Sequence, residues 1–278
     1  MSLIRHKETG EPLLEVPGDT LSGAVMDHAV LLGADLHSAD LRGANLRGTD
    51  LCQADLRGAL LDGADLRQAD ITLANLAQAS LKNALLADAR LQAINLGVPG
   101  PARTDFTGAE LSRVNLKNSN LAGASFVDAE MRRIDLTHCN LSGAVLAGAN
   151  LTEANLSYSD LRSADLSYTM LVGALFNEAD LRSANLRHAE LAVATLSGVL
   201  LGNADLQRAH LSKTVFARCP DLHHALGLDS LEYLSPSSID LESLRECLAG
   251  LSDAFLEGVG VEPHEIEALR GRAAALVS

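Results

Sequence analysis

The chain has no Trp, and aromatic residues make up only 3% of its 278 positions. Any apolar interior must therefore be built from Leu and Ala. These are spread too evenly for an ordinary globular core and suit a long thin one, in which each segment touches only its neighbours. No run approaches the ~18 apolar residues that span a bilayer, so no membrane segment is expected. No apolar stretch follows the charged residues between Met1 and Lys7, so no signal peptide is expected and the reducing cytoplasm is the default location. The four cysteines (Cys52, Cys139, Cys219 and Cys247) lack close paired spacing, which argues against a zinc site or a disulfide framework. There is no Gly-rich phosphate loop, no GxSxG and no HExxH. The many Asp residues fall in solvated rows, whereas acid–base work needs a cleft that perturbs them. The adjacent His223 and His224 have no third ligand placed beside them. No catalytic residue, metal site or cofactor is expected, and the chain does not read as an enzyme.

What is present is one pattern, repeated every five residues from Leu21 to Phe216. It reads Ala34-Asp35-Leu36-His37-Ser38, then Ala39-Asp40-Leu41-Arg42-Gly43, then Ala44-Asn45-Leu46-Arg47-Gly48. Of its 40 central positions 32 are Leu, and the position two before is Ala in 27. Phe106, Phe126, Phe176, Phe216, Met26, Met131 and Ile71 fill seven more centres, leaving Pro101 as the misfit. No helix or flat sheet has this period, so the repeat itself sets the fold. Alternation turns the Leu and the Ala inward and the Asp or Asn between them outward. The two residues after the Leu form a corner, and four corners close one coil, so a coil takes four repeat units.

These A(D/N)LXX units resemble the pentapeptide-repeat family. The resemblance implies an all-β solenoid, a right-handed quadrilateral β-helix of about ten coils, over residues 21–219. Residues 1–20, with Glu8-Thr9-Gly10 as a hairpin turn, are expected to form an N-terminal cap. After Cys219 the period becomes helical. Ser238-Ile239-Asp240 offers an N-cap before Leu241, Ser252-Asp253 starts a short helix, and Pro263 suits the first turn of a last helix. Residues 220–278 are thus an α-helical cap or, through 238–278, a homodimerisation segment. This segment is also similar to one that precedes Toll/interleukin-1-receptor-like (TIR) domains in some bacterial pentapeptide-repeat proteins. The sequence stops at Ser278, before such a domain, so an effector role would need a longer chain or a separate partner.

If positions 20 apart stack, the outward column at 35, 55, 75, 95, 115, 135 and 155 is one Asp/Asn ladder. Ile94, Val114 and Ile134 then form one inward column of β-branched residues. The expected core runs through Leu36, Leu56, Leu76, Ile94, Leu96, Val114, Leu116, Ile134, Leu136 and Leu156. Arg162 over Arg182 and Arg47 over Arg67 are candidates for anion contact. Residues 97–104 break the rule by placing Pro99 and Pro101 at inward positions, which predicts a loop there. The candidate interaction residues are Pro99, Pro101 and Arg103 in that loop, and Tyr158, Met170, Val172 and Leu175 on the rod.

Two functions compete. One is a non-enzymatic scaffold or protein–protein interaction module. The other, implied by the family, is a DNA mimic that binds DNA gyrase or topoisomerase IV and protects them from quinolones or toxins. The net charge of −14 weighs against mimicry. Residues 21–216 hold 16 bases and 21 acids, whereas 217–278 hold four bases and 11 acids, so half the excess lies off the repeat. A mimic needs its negative stripe on the rod itself. An acidic rod is not expected to bind nucleic acid directly.

Overall fold

The computed structural model describes residues 1–94, 96 and 103–277, with side chains to Gly271. The repeat forms a β-solenoid. Parallel bridges join positions one coil apart, as Val25 to Asn45, and they fall into four columns, or walls, which start at Val25, Val30, Asp35 and Asp40.

One unit shows why five residues suffice. The Leu41 N–H donates to the Leu60 carbonyl (2.8 Å) and the Gly43 N–H to the Asp62 carbonyl (3.0 Å), both one coil ahead. The Ala44 N–H closes a turn on the Leu41 carbonyl (3.0 Å), and the Asn45 N–H reaches back to Ala24 (2.8 Å). The remaining N–H, of Arg42, donates to the side chain of Asp40 (3.3 Å). All five donors are thereby satisfied, as a buried ladder requires. The second corner residue takes a left-handed conformation throughout, as at Gly43 (φ 63°) and Val193 (φ 58°).

The inward positions are filled. Leu36, Leu56, Leu76, Ile94, Leu96, Val114, Leu116, Ile134, Leu136 and Leu156 are all buried, as are Cys139 and Cys219 at Ala-type positions. Phe106 and Phe126 stack in adjacent coils, ring centres 5.0 Å apart.

The stacking departs from a uniform period in one coil. Ser80 bridges Asp105, Leu85 bridges Glu110 and Arg90 bridges Asn115, each pair separated by one repeat unit more than the pairs in other coils. The five extra residues fall between Leu96 and Thr104, where seven residues span a corner that elsewhere takes two. Every column read across that point is therefore displaced by one wall. Val114 and Ile134 do stack, but Ile94 lies in the next wall: its carbonyl accepts from Asn120 (3.1 Å) and its N–H meets Ser119 (3.2 Å). The ladder through 35, 55 and 75 likewise does not continue into 115, 135 and 155. Asn115 follows Arg90 in the second wall, and the third wall, that of 35, 55 and 75, resumes at 120, 140 and 160. Of the expected loop, only Arg103 and Thr104 are described; Pro99 and Pro101 lie outside the described residues. Thr104 is buried, and its hydroxyl donates to the Leu76 carbonyl (2.9 Å).

At the N-terminus β1 (Ser2–His6) and β2 (Pro12–Val16) form an antiparallel hairpin. β1 also pairs antiparallel with β3 (Ala34–Asp35), and Ile4 and Val16 join the core. Near the other end the walls lengthen into β4 (Thr195–Ser197), β5 (His210–Ser212) and β6 (Val215–Ala217). Here β5 pairs with β7 (Glu232–Ser235), and β6 with β8 (Ser238–Ile239). Three helices follow: α1 (Leu241–Cys247), α2 (Asp253–Gly258) and α3 (Pro263–Val277). Asp240 caps α1 and Ser252 caps α2, each accepting the N–H three residues on. α2 buries Phe255 edge-on against Phe216, ring centres 6.0 Å apart. Ser243 of α1 accepts the Cys219 N–H (2.9 Å).

Candidate interaction surface

The outward residues divide into paired charges and an apolar strip. Wherever the unit reads Asp-Leu-Arg, the guanidinium folds back onto its own Asp. Arg42–Asp40, Arg57–Asp55, Arg67–Asp65, Arg162–Asp160 and Arg182–Asp180 all form such forks, with N–O distances of 2.5–2.9 Å. The Arg hydrogen bond holds each of these carboxyls below the usual carboxylate range, Asp40 at about 2. Where Asn replaces Asp, the Arg reaches another coil: Arg187 meets Asp205 (3.1 Å) and Arg47 meets Gln68. Arg162 and Arg182 are stacked as expected, yet each is already paired with a carboxylate.

The apolar strip runs where the walls starting at Val25 and Val30 meet. Met170 stands on the first wall, Leu175 on the second, and Val172 at the corner between them. Met170 is 47% and Leu175 40% exposed. Two residues that a local reading passes over extend this strip. Val193 (55% exposed) occupies the same corner one coil on, and Val215 (37%) lies two coils beyond Leu175 in the second wall. The signal was available only as an offset of whole coils, not as nearness in sequence.

Tyr158 borders the second wall at its other corner, stacked on His138 (ring centres 4.9 Å). Tyr168, stacked on His188 at 4.7 Å, lies across the first wall. Arg103 is exposed but belongs to the corner between the other two walls, so it is not part of this surface.

No reactive centre is assembled at the thiols. Burial pushes Cys139 and Cys219 up to about 12, and desolvation beside Asp70 and Asp50 does the same to Cys52. His223 and His224 lie against each other with ring centres 3.9 Å apart. Among the described residues no three His, Cys, Asp or Glu side chains are arranged to hold a metal ion. None of the described helices is long and apolar enough to cross a membrane.

The profile of pentapeptide repeats matches in eight copies, over stretches that run from residue 20 to 88 and from 102 to 225. The chain belongs to the pentapeptide repeat family. The interval between the matched stretches, residues 89–101, falls within the coil that has five extra residues. Among solved structures, this pentapeptide repeat protein is 30% identical to HetL, a family member involved in heterocyst differentiation regulation from the cyanobacterium Nostoc sp. strain PCC 7120. That alignment covers 77% of this chain and 89% of HetL, with a TM-score of 0.29. A trypsin-treated form of QnrB1, a plasmid-mediated fluoroquinolone resistance protein, is 16% identical over 68% of this chain and 91% of its own, with a TM-score of 0.46. Rfr23 from the cyanobacterium Cyanothece 51142 is 23% identical over 60% of this chain and 91% of its own, with a TM-score of 0.32. None of the curated protein sequences matches.

Proposed function

We propose that this pentapeptide repeat protein is a non-enzymatic scaffold that binds another protein along its rod. The observation that carries this reading is the strip of Met170, Val172, Leu175, Val193 and Val215, apolar residues that two adjacent walls and the corner between them bring together, with Met170 47% and Val193 55% exposed. The rod is a right-handed quadrilateral β-helix of about ten coils, as the family resemblance implies, and its filled interior makes it rigid. The hairpin closes one end, since Ile4 and Val16 join the core. Residues 220–278 close the other, a role supported by the packing of Phe255 on Phe216.

The alternative, mimicry of DNA toward gyrase or topoisomerase IV, is weakened by the forks. A mimic must offer carboxylates to the basic groove of its target. Five of the rod's Asp residues already hold an Arg of their own. A supercoiling assay separates the two readings. Micromolar protein is expected to leave gyrase activity, and its poisoning by a quinolone, unchanged. Inhibition or protection would establish the mimic and overturn the scaffold.

A further inference from the structure

A second apolar surface lies beyond the rod, in the segment that carries the largest share of the negative charge. A groove of about 670 Å³ opens between β8, the start of α1, the turn after α2, and α3. Ile239, Leu241, Val261, Ala268 and Leu269 line it, together with Glu265. Leu241 is the first residue of α1 and heads an apolar stripe whose later members, Leu244, Leu248 and Leu251, are buried. Leu241 itself is 66% exposed, and Leu234 nearby is 74% exposed. An apolar stripe that begins in the core and ends in solvent is a surface prepared for burial.

Charge decides what would cover it. Residues 217–278 have four bases against 11 acids. The groove lining includes an acid and no base, and Glu242 and Glu262 stand exposed beside Leu241 and Val261. Arg270, on α3, is drawn away: it pairs with Asp253 (2.6 Å) and donates to the Leu251 carbonyl (2.7 Å). A second copy of this acidic segment would bring like charge to like, which disfavours self-docking. The geometry points to an amphipathic segment of another protein as the occupant, with apolar anchors at helical spacing and Lys or Arg along its flanks. Such a segment would seat its anchors over Leu241 and Leu269 and its basic flanks against Glu242, Glu262 and Glu265. This inference rests on the scaffold reading and names the chemistry of one partner.

The test uses the full chain and a fluorescein-labelled peptide of about 14 residues made of Leu and Lys, with Leu at i, i+3, i+4 and i+7. Fluorescence anisotropy compares it with a scrambled peptide of the same composition and with a Glu-for-Lys version. The patterned basic peptide is expected to bind at micromolar concentration and the two controls at least tenfold more weakly. Ala268→Trp, which fills the groove from an exposed position, should weaken binding about tenfold while leaving the thermal midpoint and sedimentation coefficient unchanged. Glu242→Lys should weaken it without filling anything. Equal binding of patterned and scrambled peptides, no binding at all, or binding indifferent to Ala268→Trp would each overturn the inference. So would concentration-dependent dimerisation of the chain that Ala268→Trp abolishes, because the occupant would then be a second copy. Failure of the peptide with gyrase unaffected removes this inference alone, whereas gyrase protection removes the scaffold reading as well.

Discussion

At the outward position of each unit, the choice of Asp or Asn is a backbone matter before it is a surface one. The side-chain oxygen accepts the N–H two residues on, as Asn140 does from Ser142 (3.1 Å) and Asp180 from Arg182 (3.1 Å). Asn140 also accepts the Ser142 hydroxyl (2.7 Å) and donates to Asn120 (3.2 Å) in the adjacent coil. Asn140→Ala therefore strands several polar groups and should cost about 1–3 kcal/mol in urea denaturation. Asn140→Asp should recover only the part owed to Ser142, since it keeps that acceptor and loses the donor to Asn120. Where the outward residue has no such oxygen, another coil can supply one. Asp62 accepts the Lys82 N–H (3.1 Å) beside Ser80, and Asp221 accepts the N–H of Gly202 (2.9 Å) beside Leu200. The second corner residue carries a different cost. Val193 is β-branched yet held at φ 58°, a region that disfavours L side chains. Val193→Gly is expected to stabilise the fold by about 1 kcal/mol, read from the urea midpoint at constant m-value. At Gly43 the reverse applies, with only backbone strain opposing a side chain, because open space surrounds the position.

At the scale of a coil, the repeat tolerates added length at a corner but not a loss of phase. Five extra residues between Leu96 and Thr104 return the chain to register, because the next Asp-Phe pair, Asp105-Phe106, falls again on a wall. Deleting residues 97–101 would leave two residues in that corner, the number found elsewhere. The shortened protein is expected to fold with a thermal midpoint equal to or above that of the parent, since loop closure becomes less costly. Deleting Asn140 from within a wall should instead destabilise the fold, because it makes Cys139 and Leu141 adjacent, and two successive strand residues cannot both face inward. Circular dichroism with thermal melting distinguishes these outcomes, and an Asn140 deletion that melts like the parent would refute the register argument.

Across the whole molecule, the forks set the acid limit of the rod. The carboxyls of Asp40, Asp55, Asp65, Asp160 and Asp180 lie lower in the folded protein than the ordinary Asp value near ~3.9. A depressed folded pKa gives stability that is present above the unfolded value and lost as the pH falls through the folded one. The melting temperature should therefore be level from about pH 8 to about pH 5 and should fall from about pH 4 toward pH 2. Replacing the five partner Arg residues with Gln is expected to flatten that fall. The Arg partners are about half exposed, so solvent screens each fork and each adds little at neutral pH.

The five-residue pattern was enough to say which side chains point inward, because only Leu, Ala and a few substitutes recur at two of five positions. Local signals outside the repeat foretold the N-caps, one within Ser238–Asp240 and one at Ser252, and the hairpin turn, since each depends on neighbouring residues. The pattern could not say which residue stacks on which across the stretch between Leu96 and Thr104. An insertion as long as the repeat unit leaves the periodicity intact, so the sequence reads the same whether that coil holds four repeat units or five. Only the backbone pairing revealed that Ile94 leaves the column of Val114 and Ile134, whereas Val193 and Val215 stood at whole-coil offsets from the corner of Val172 and from Leu175. Facing direction is a local property of alternation along the chain. The surface assembled from it depends on contacts a whole coil away, and those were decided by the tertiary structure.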